Sequence, residues 1–467
     1  MERKRRQRLN VLLVSPTNVI HTERQNWSSP PLGIWRIAGW LEPVQHVEVW
    51  DTILDEEPPR KPCGGWDLLG FSVNHDTLPD DLHLMRKMGK EHPHAFLLAG
   101  GVEASTNYQQ LFEEVPRLQG VILGEGEQGM LDLCNGGSFS CEPNPFTHSA
   151  RGLIRREYEE TTLNAFTSWN FKIPFERMRY PEHWAITKKI RPHIREDELY
   201  CVRLNTSTYC DRACPFCSMT HVHSMAAGCR VQPLTMTGED TKELVRKVLR
   251  VLPEVQCIYW NDDDFCLSRE KAETFFEDPP ALRYLIQARV DTVDRELLQH
   301  IARGGCKQIS YGVENWSRHV LQDIGKGVTP EQADEAIALT QEAGMDPIVL
   351  IMLFCPTSTM EDMVINYRKL LELEKKGILI SIMSYVRAYH GTRYLKQRIH
   401  EILWDRKQGI TQPFAVLPDD PEVRQMWVEF ESRVAEKQVA MKDQWKCRTS
   451  TVMIGVLEEL LRERGAL

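Results

Sequence analysis

No apolar run in this chain approaches the roughly 20 residues that a membrane span requires, and the longest, residues 348–355, stops far short. The basic start Met1-Glu2-Arg3-Lys4-Arg5-Arg6 is followed by an apolar stretch too short to be the core of a signal peptide. Residues 1–8 therefore read as a basic tail, and the expectation is a water-soluble, cytoplasmic protein without a membrane partner. An excess of positive charge is also lacking. The 57 Lys and Arg stand against 66 Asp and Glu, a net charge of -9, so the footprint of a nucleic-acid binder is missing. Fixed-period repeats and low-complexity tracts are absent. With 42% hydrophobic and 26% charged residues over 467 positions, general disorder is excluded. Thirteen cysteines are many, but the number is odd and they are scattered. That argues against a stapled secreted framework and favours reduced thiols, some of them ligands.

What is present is alternation. Short apolar runs at residues 12–15, 46–50, 68–73, 96–99 and 120–123 read as buried strands, and residues 32–41, 80–91 and 108–114 carry apolar positions at helical spacing. Such a series implies a doubly wound parallel sheet over residues 9–135, whose ligands bind beyond the carboxyl ends of the strands. From residue 136 to 199 the pattern dissolves into Gly, Pro, Asn and charge (Gly136-Gly137, Pro143, Pro145, Pro174, Pro181, Pro192) and reads as a linker. A second series, strands at 201–206, 256–260, 284–290, 308–312, 347–354 and 379–386 with helices between them, favours a parallel barrel over 200–397 with its chemistry on the loops after each strand. Residues 398–467 read as helical and charged. The fold class expected is α/β.

Directly after the first strand of the second series stands Cys210-Asp211-Arg212-Ala213-Cys214-Pro215-Phe216-Cys217. This C-x3-C-x2-C spacing lets three thiolates converge on one metal centre. Iron-sulfur cubanes usually take four protein thiolates, so three leave one iron open to an external ligand. An open iron that chelates the amine and carboxylate of S-adenosylmethionine can pass an electron to the sulfonium and break a carbon-sulfur bond. The alternative is a zinc site completed by His221 or His223, although no second cysteine pair stands nearby; Cys229 is a further thiol within reach.

The triad, with an aromatic before its third cysteine, resembles the signature of the radical S-adenosylmethionine (SAM) superfamily. The segments Ile258-Tyr259-Trp260-Asn261-Asp262-Asp263-Asp264-Phe265, Gln287-Ala288-Arg289-Val290-Asp291, Cys306-Lys307-Gln308-Ile309-Ser310-Tyr311-Gly312-Val313-Glu314 and Lys326-Gly327-Val328-Thr329 extend the resemblance through most of residues 200–395. It implies a partial (β/α)6 barrel of the TIM type with a 4Fe-4S cluster on Cys210, Cys214 and Cys217. The acidic run, with Asp263 at its centre, can accept hydrogen bonds from a methionyl ammonium. Arg289 can clamp a carboxylate, and Glu314 can bind a ribose hydroxyl or the ammonium; in the alternative these two pair with each other. Phe216 can offer its face or backbone to adenine. The fifth and sixth strands depart from the family pattern, with Phe354-Cys355-Pro356-Thr357 and Tyr389-His390-Gly391-Thr392. Cys355 and His390 are therefore candidates for specificity or proton transfer, the only candidate catalytic side chains.

Residues 9–135 resemble the Rossmann-like cobalamin (B12)-binding domain fused ahead of the barrel in one large subclass. The pieces are Pro30-Pro31-Leu32-Gly33-Ile34, Leu69-Gly70-Phe71-Ser72, Ala99-Gly100-Gly101-Val102-Glu103 and Gly124-Glu125-Gly126-Glu127. Gly100, Gly101, Gly124 and Gly126 allow backbone to approach a macrocycle or phosphate closely, or serve tight turns that need positive φ. The Asp-x-His-x-x-Gly motif that supplies a protein ligand to cobalt is missing from Thr17-Asn18-Val19-Ile20-His21, and Asp81-Leu82-His83 lies on a helix without the Gly.

The resemblance implies an oxygen-sensitive enzyme using SAM, a 4Fe-4S cluster and cobalamin. It would be reduced by a flavodoxin or ferredoxin and would methylate an unactivated carbon or phosphinate of a small precursor. The alternatives are a radical outcome without net methylation, such as ring formation or 3-amino-3-carboxypropyl transfer, and a non-enzymatic zinc or iron-sulfur module.

Overall fold

The computed structural model describes residues 8–16, 27–135, 152–154, 162–227, 232–440 and 449–467. The basic tail up to residue 7, residues 17–21, Cys229 and the Gly136-Gly137, Pro143 and Pro145 stretch lie outside them. The chain divides into two compact units. The first holds Met1–Asp211, Ser218–Tyr259 and Lys407–Ile410, and the second Arg212–Cys217, Trp260–Arg406 and Thr411–Leu467. Neither residue 200 nor residue 397, the expected limits of the barrel, separates them.

In the first unit six parallel strands, β1 (Asn10–Val14), β2 (His46–Trp50), β3 (Leu68–Ser72), β4 (Phe96–Gly100), β5 (Gly120–Ile122) and β6 (Gly152–Ile154), form one sheet in the order β2-β1-β3-β4-β5-β6. This is the doubly wound arrangement expected, and the order reverses between β1 and β3. Val11, Leu12, Leu13 and Val14 are all buried, as a strand covered on both faces requires. Helix Leu32–Leu41 turns Ile34, Trp35, Ala38 and Leu41 inward, and helix Leu78–Glu91 does the same with Leu78, Leu82, Met85 and Met88.

The stretch expected as a linker is in large part core. Helices Thr162–Phe171, Tyr180–Ile190 and Glu196–Leu199 occupy it, and Phe166, Trp169, Phe175 and Trp184 are buried. Pro181 sits in the first turn of its helix, where a missing N–H costs nothing; the proline that suggests a break marks a start. This helix also builds a buried relay. Ser28 Oγ lies 2.7 Å from His183 Nδ1, and His183 Nε2 lies 3.0 Å from Asp51 Oδ2. All three side chains are buried, and Thr187 Oγ1 accepts from the Ser28 N–H at 2.8 Å. A Ser-His-Asp set sealed in this way ties residue 28 to the sheet edge and gives no substrate access to the hydroxyl.

The six strands expected for the barrel are all present, as β7 (Cys201–Leu204), β8 (Cys257–Trp260), β9 (Arg283–Ala288), β10 (Cys306–Glu314), β11 (Asp346–Phe354) and β12 (Leu379–Arg387). In the second unit β9, β10, β11 and β12 are parallel neighbours in that order. The helices between them start on well-formed caps: Thr329 with Gln332 and Thr359 with Asp362 make reciprocal capping boxes. The C-terminal region is not wholly helical. Strands β13 (Ile402–Lys407) and β14 (Ile410–Val416) form a hairpin, with β14 antiparallel to β12, before helices Pro421–Ala440 and Thr449–Glu463. Its two turn residues, Gln408 and Gly409, both have positive φ (53° and 85°), the twist that two-residue hairpin turns need. Among the described residues no helix is long and apolar enough to cross a membrane.

An aromatic cluster of Trp260, Phe265, Phe275, Phe276 and Tyr284 anchors the second unit. Phe275 is fully buried, with ring centroids 4.8 Å from Phe276, 5.1 Å from Tyr284 and 5.4 Å from Trp260. Phe275→Ala is expected to destabilise this unit by about 3–5 kcal/mol, read as a lowered melting transition of the full chain.

Candidate functional site

The cysteine loop follows β7. Cys214 is buried, whereas Cys210, Phe216 and Cys217 are half-buried. The Cys217 N–H donates to the Cys214 carbonyl at 3.0 Å and closes a turn between the two ligand candidates. Ala213 takes a left-handed φ of 54°, and the strand-end loop is held from outside: Arg393 donates to the Ala213 carbonyl at 3.0 Å and the Tyr394 N–H to the Pro215 carbonyl at 3.1 Å. Gly325, at φ 61°, comes so close that a Cβ there would lie 2.7 Å from Pro215 Cδ.

A chain of buried charges runs beside this loop. Glu314 ends β10 and meets Lys326, Nζ to Oε1 2.8 Å, both side chains nearly inaccessible. Burial works against the Lys326 ammonium, but Glu314 and the Cys214 sulfur outweigh it and hold the group charged above the usual lysine range. Gly312 makes room for the pair, since a Cβ there would come within 2.7 Å of Glu314 Oε1 and 2.9 Å of Lys326 Nζ. Arg289, 5% exposed, grips Asp291 with two bonds of 2.8 and 3.1 Å and donates to the Lys326 carbonyl at 2.9 Å. Arg212 of the cysteine loop lies 3.8 Å from Asp291. Arg289 and Glu314 are thus not paired with each other, as one sequence reading had it; each is paired within its own neighbourhood and both engage Lys326. Sequence reasoning missed Lys326 as a site residue. The signal available was a lysine flanked by two glycines, Gly325-Lys326-Gly327.

In the acidic run Asp262 and Asp264 are buried and Asp263 is exposed. Asp264 Oδ1 accepts from the Cys266 N–H and from Thr292 Oγ1, both at 3.1 Å, while Oδ2 is buried without a hydrogen-bond partner among the described residues. Burial is the largest influence on this carboxyl and pushes it up to about 6. Lys271, also buried, rests its ammonium 4.1 Å from the Phe265 ring, and burial lowers its affinity for the proton.

Cys355 does not face a reaction chamber. It is fully buried, its Sγ donates to the Met352 carbonyl at 3.4 Å, and burial pushes the thiol far above its usual range; a core thiol of this kind is inert. His390 lies half-buried on the turn after β12.

In the first unit a cavity of about 330 Å³ opens at the carboxyl ends of β1, β3, β4 and β5, where the strand order reverses. Ligands of doubly wound sheets bind at such a point. Gly100, Gly101, Gly124 and Gly126 all line it, and they divide by role. Gly101 and Gly124 have φ of 98° and 73° and serve turns. At Gly100 the nearest atom to a Cβ would be 4.0 Å away, so the bare backbone there leaves space; at Gly126 a Cβ would press on Ile37 Cδ1 at 2.8 Å. Arg36 forms ion pairs with Glu125 and Glu127 and lies over the rings of Phe166 and Trp169. Despite burial the two carboxylates keep Arg36 firmly charged. Glu127 is pushed up by burial, against the pull of Arg36, and its Oε2 is buried without a hydrogen-bond partner among the described residues. His223, one of the imidazoles considered for zinc, stacks on Tyr209 at 4.3 Å with Nε2 3.9 Å from Glu125. Burial, then Arg36, pushes it down to about 4.

Residues 204–370, the stretch that carries the cysteine loop and the buried charges, match the Radical SAM superfamily. They are a radical SAM domain. The match implies an enzyme that uses a 4Fe-4S cluster and SAM. The chain is 21% identical over 402 residues, 82% of each sequence, to an uncharacterized methyltransferase of Pyrococcus horikoshii. It is also 21% identical over 398 residues to a cytidylyl-2-hydroxyethylphosphonate methyltransferase of Streptomyces wedmorensis, covering 72% of this chain and 71% of that one. Among solved structures it shares the fold of the cobalamin-dependent SAM radical enzyme OxsB with aqua-cobalamin bound, with a TM-score of 0.66 and 18% identity over 97% of this chain and 71% of that one. It likewise shares that of the radical SAM methyltransferase TsrM from Kitasatospora setae with cobalamin and a [4Fe-4S] cluster bound, at 0.63 and 15% over 88% and 79%.

Two outcomes follow from this geometry. Gly325→Ala drives a methyl into Pro215, so the variant is expected to retain less iron and sulfide per chain after anaerobic reconstitution. For Asp264 the unfolded carboxyl gives up its proton near 3.8 and the folded one only near 6. Burying it therefore costs nothing below the first value, and an amount that grows until pH passes the second and then stays constant. Asp264→Asn is expected to raise the melting temperature relative to the parent by more at about pH 7.5 than at about pH 5.

Proposed function

We propose that the chain is a cobalamin-dependent radical SAM methyltransferase that acts on an unactivated carbon or a phosphinate of a small biosynthetic precursor. What carries this reading is one chain holding both a radical SAM domain with its cysteine loop and a glycine-lined cavity at the strand-order reversal of a doubly wound sheet. The relatives named as methyltransferases and the cobalamin-containing structures of the same fold support it. When bound, the cluster supplies the electron that splits SAM, and cobalamin carries the methyl group.

The residues fit these groups. Cys210, Cys214 and Cys217 are the three cluster ligands, with Lys326 adding positive charge beside Cys214. Glu314, Arg289 and the acidic run around Asp263 would hold SAM, and Phe216 would offer its face or backbone to adenine. On the first unit the unpartnered Glu127 Oε2 accepts a hydrogen bond from an amide-bearing ligand, which the side chains of a corrin ring provide, and the bare backbone at Gly100 admits the ligand close to the sheet. Burial lowers the basicity of His223 and keeps it neutral. The protein is oxygen-sensitive, cytoplasmic and reduced by a flavodoxin or ferredoxin in this reading.

Anaerobic reconstitution followed by dithionite and SAM tests it. The parent is expected to form 5'-deoxyadenosine, with S-adenosylhomocysteine when a substrate is present, and Cys214→Ala to form neither. Zinc in place of iron and sulfide would overturn the reading, and 5'-methylthioadenosine as the product would replace methylation with aminocarboxypropyl transfer. Gly100→Leu fills the space beside the sheet and is expected to abolish cobalamin retention, read from absorbance and cobalt content, while iron stays at the parental level.

A further inference from the structure

Glu314 is a backbone outlier, and its supports lie away from the chemistry. Glu314 has φ 68°, and the Asn315 N–H donates across it to the Val313 carbonyl at 2.9 Å. A hydrogen bond from residue i+2 to residue i around a positive φ is the strained form of the γ-turn, which a glutamate does not adopt by preference. The ladder between β10 and β11 is irregular at the same point, slipping between Gly312 and Glu314. The turn carries the chain out of the sheet, and the N–H groups of Trp316 and Ser317 leave the ladder with it. Buried donors of this kind must be satisfied elsewhere.

Two fully buried amides meet that need. Asn366, on helix Met360–Lys375, accepts from the Trp316 N–H at 3.0 Å through Oδ1, while its Nδ2 donates to Asn315 Oδ1 at 3.0 Å and to the Asp362 carbonyl at 2.8 Å. Asn315 Oδ1 also accepts from the Ser317 N–H at 2.9 Å, and its Nδ2 donates to the Met352 carbonyl on β11 at 3.1 Å. Every polar atom of the two side chains is used: two of the bonds hold the Trp316 and Ser317 N–H groups beyond Glu314, and the others tie the amides to each other, to helix Met360–Lys375 and to β11.

We propose that Asn315 and Asn366 are positioning residues for the radical SAM reaction: together they clamp the γ-turn that aims the Glu314 carboxylate at Lys326 and the SAM site. Neither touches the reacting atoms. With the clamp released, Glu314 relaxes to a negative φ, its carboxylate leaves Lys326, and SAM loses a partner while the cysteine loop keeps its own supports. The inference rests on reading Glu314 as a SAM contact.

The test uses the full chain, reconstituted anaerobically, with SAM binding followed by titration and by the change SAM causes in the electron paramagnetic resonance of the dithionite-reduced cluster. Asn366→Ala is expected to weaken SAM binding about tenfold or more, to raise KM more than it lowers kcat, and to leave iron content and the SAM-free spectrum unchanged. Asn366→Ser, a smaller perturbation whose shorter side chain does not span to both the Trp316 N–H and Asn315 Oδ1, is read in the same way if the alanine variant does not fold. Thr340→Val is the comparison for mere loss of a core hydrogen bond. It removes a buried partner 2.8 Å from the Tyr311 hydroxyl on the same strand, β10, and is expected to lower the melting temperature yet leave SAM affinity within about twofold of the parent. Parental affinity in both Asn366 variants overturns the proposal, as does an equal loss of affinity in Thr340→Val or a loss that tracks the iron content. A parent that neither binds nor cleaves SAM overturns the proposed function itself.

Discussion

Lys326 is a cation almost out of reach of water, and much of the second unit is arranged so that it can stay charged there. An ammonium stripped of solvent needs a carboxylate at contact distance, and losing either member of such a pair typically costs about 3–5 kcal/mol. Glu314 supplies that carboxylate at 2.8 Å. Gly312 supplies the room for it, and Arg289 holds the lysine backbone through its carbonyl. Arg289 in turn stays charged beside Asp291, which also draws in Arg212 from the cysteine loop. Two ion pairs, Glu314 with Lys326 and Asp291 with Arg289, thus lie side by side from the end of β10 to the cysteine loop, joined through the Lys326 carbonyl, and each buried cation has its own carboxylate.

The first unit solves a related problem by other means. Arg36 is held between two carboxylates and two aromatic rings, so the edge of the cavity is rigid as well as charged. Gly124 and Gly126 stand directly beside these carboxylates in the chain, and Gly100 leaves bare backbone at the end of β4, so the cavity joins fixed charge to open main chain.

Much of this was readable from the amino-acid order, and the exceptions have physical causes. Strands buried on both faces, such as β1 and β3, are continuous apolar runs, and half-buried ones such as β2 alternate, so β1–β5 and β7–β12 stood out. The cysteine spacing is chemistry written directly in sequence. Residues 162–199 were misread because Pro174, Pro181 and Pro192 suggest loops, while Pro181 fills the one turn of a helix that tolerates proline. The β13–β14 hairpin was hidden because its turn is Gln408-Gly409, without the Asn or Asp that usually announces such turns. At the site, sequence named Arg289 and Glu314 but not their partners. Asp291 is only two residues from Arg289, and Lys326 reaches Glu314 only through the fold. Nor does a run of three aspartates say which of them faces inward; the backbone phase at the end of β8 decides that.

The cysteine loop is tied by its own backbone carbonyls. Those of Ala213, Cys214 and Pro215 all accept hydrogen bonds from protein donors, and Gly325 presses on Pro215 from the side. Small zinc domains are often unfolded until metal arrives, and the binding energy is spent on ordering the chain. In this loop the path of the backbone from Ala213 to Cys217 is set by partners within the protein, so a substitution at Arg393 or Gly325 alters the spacing of the thiols without touching a cysteine.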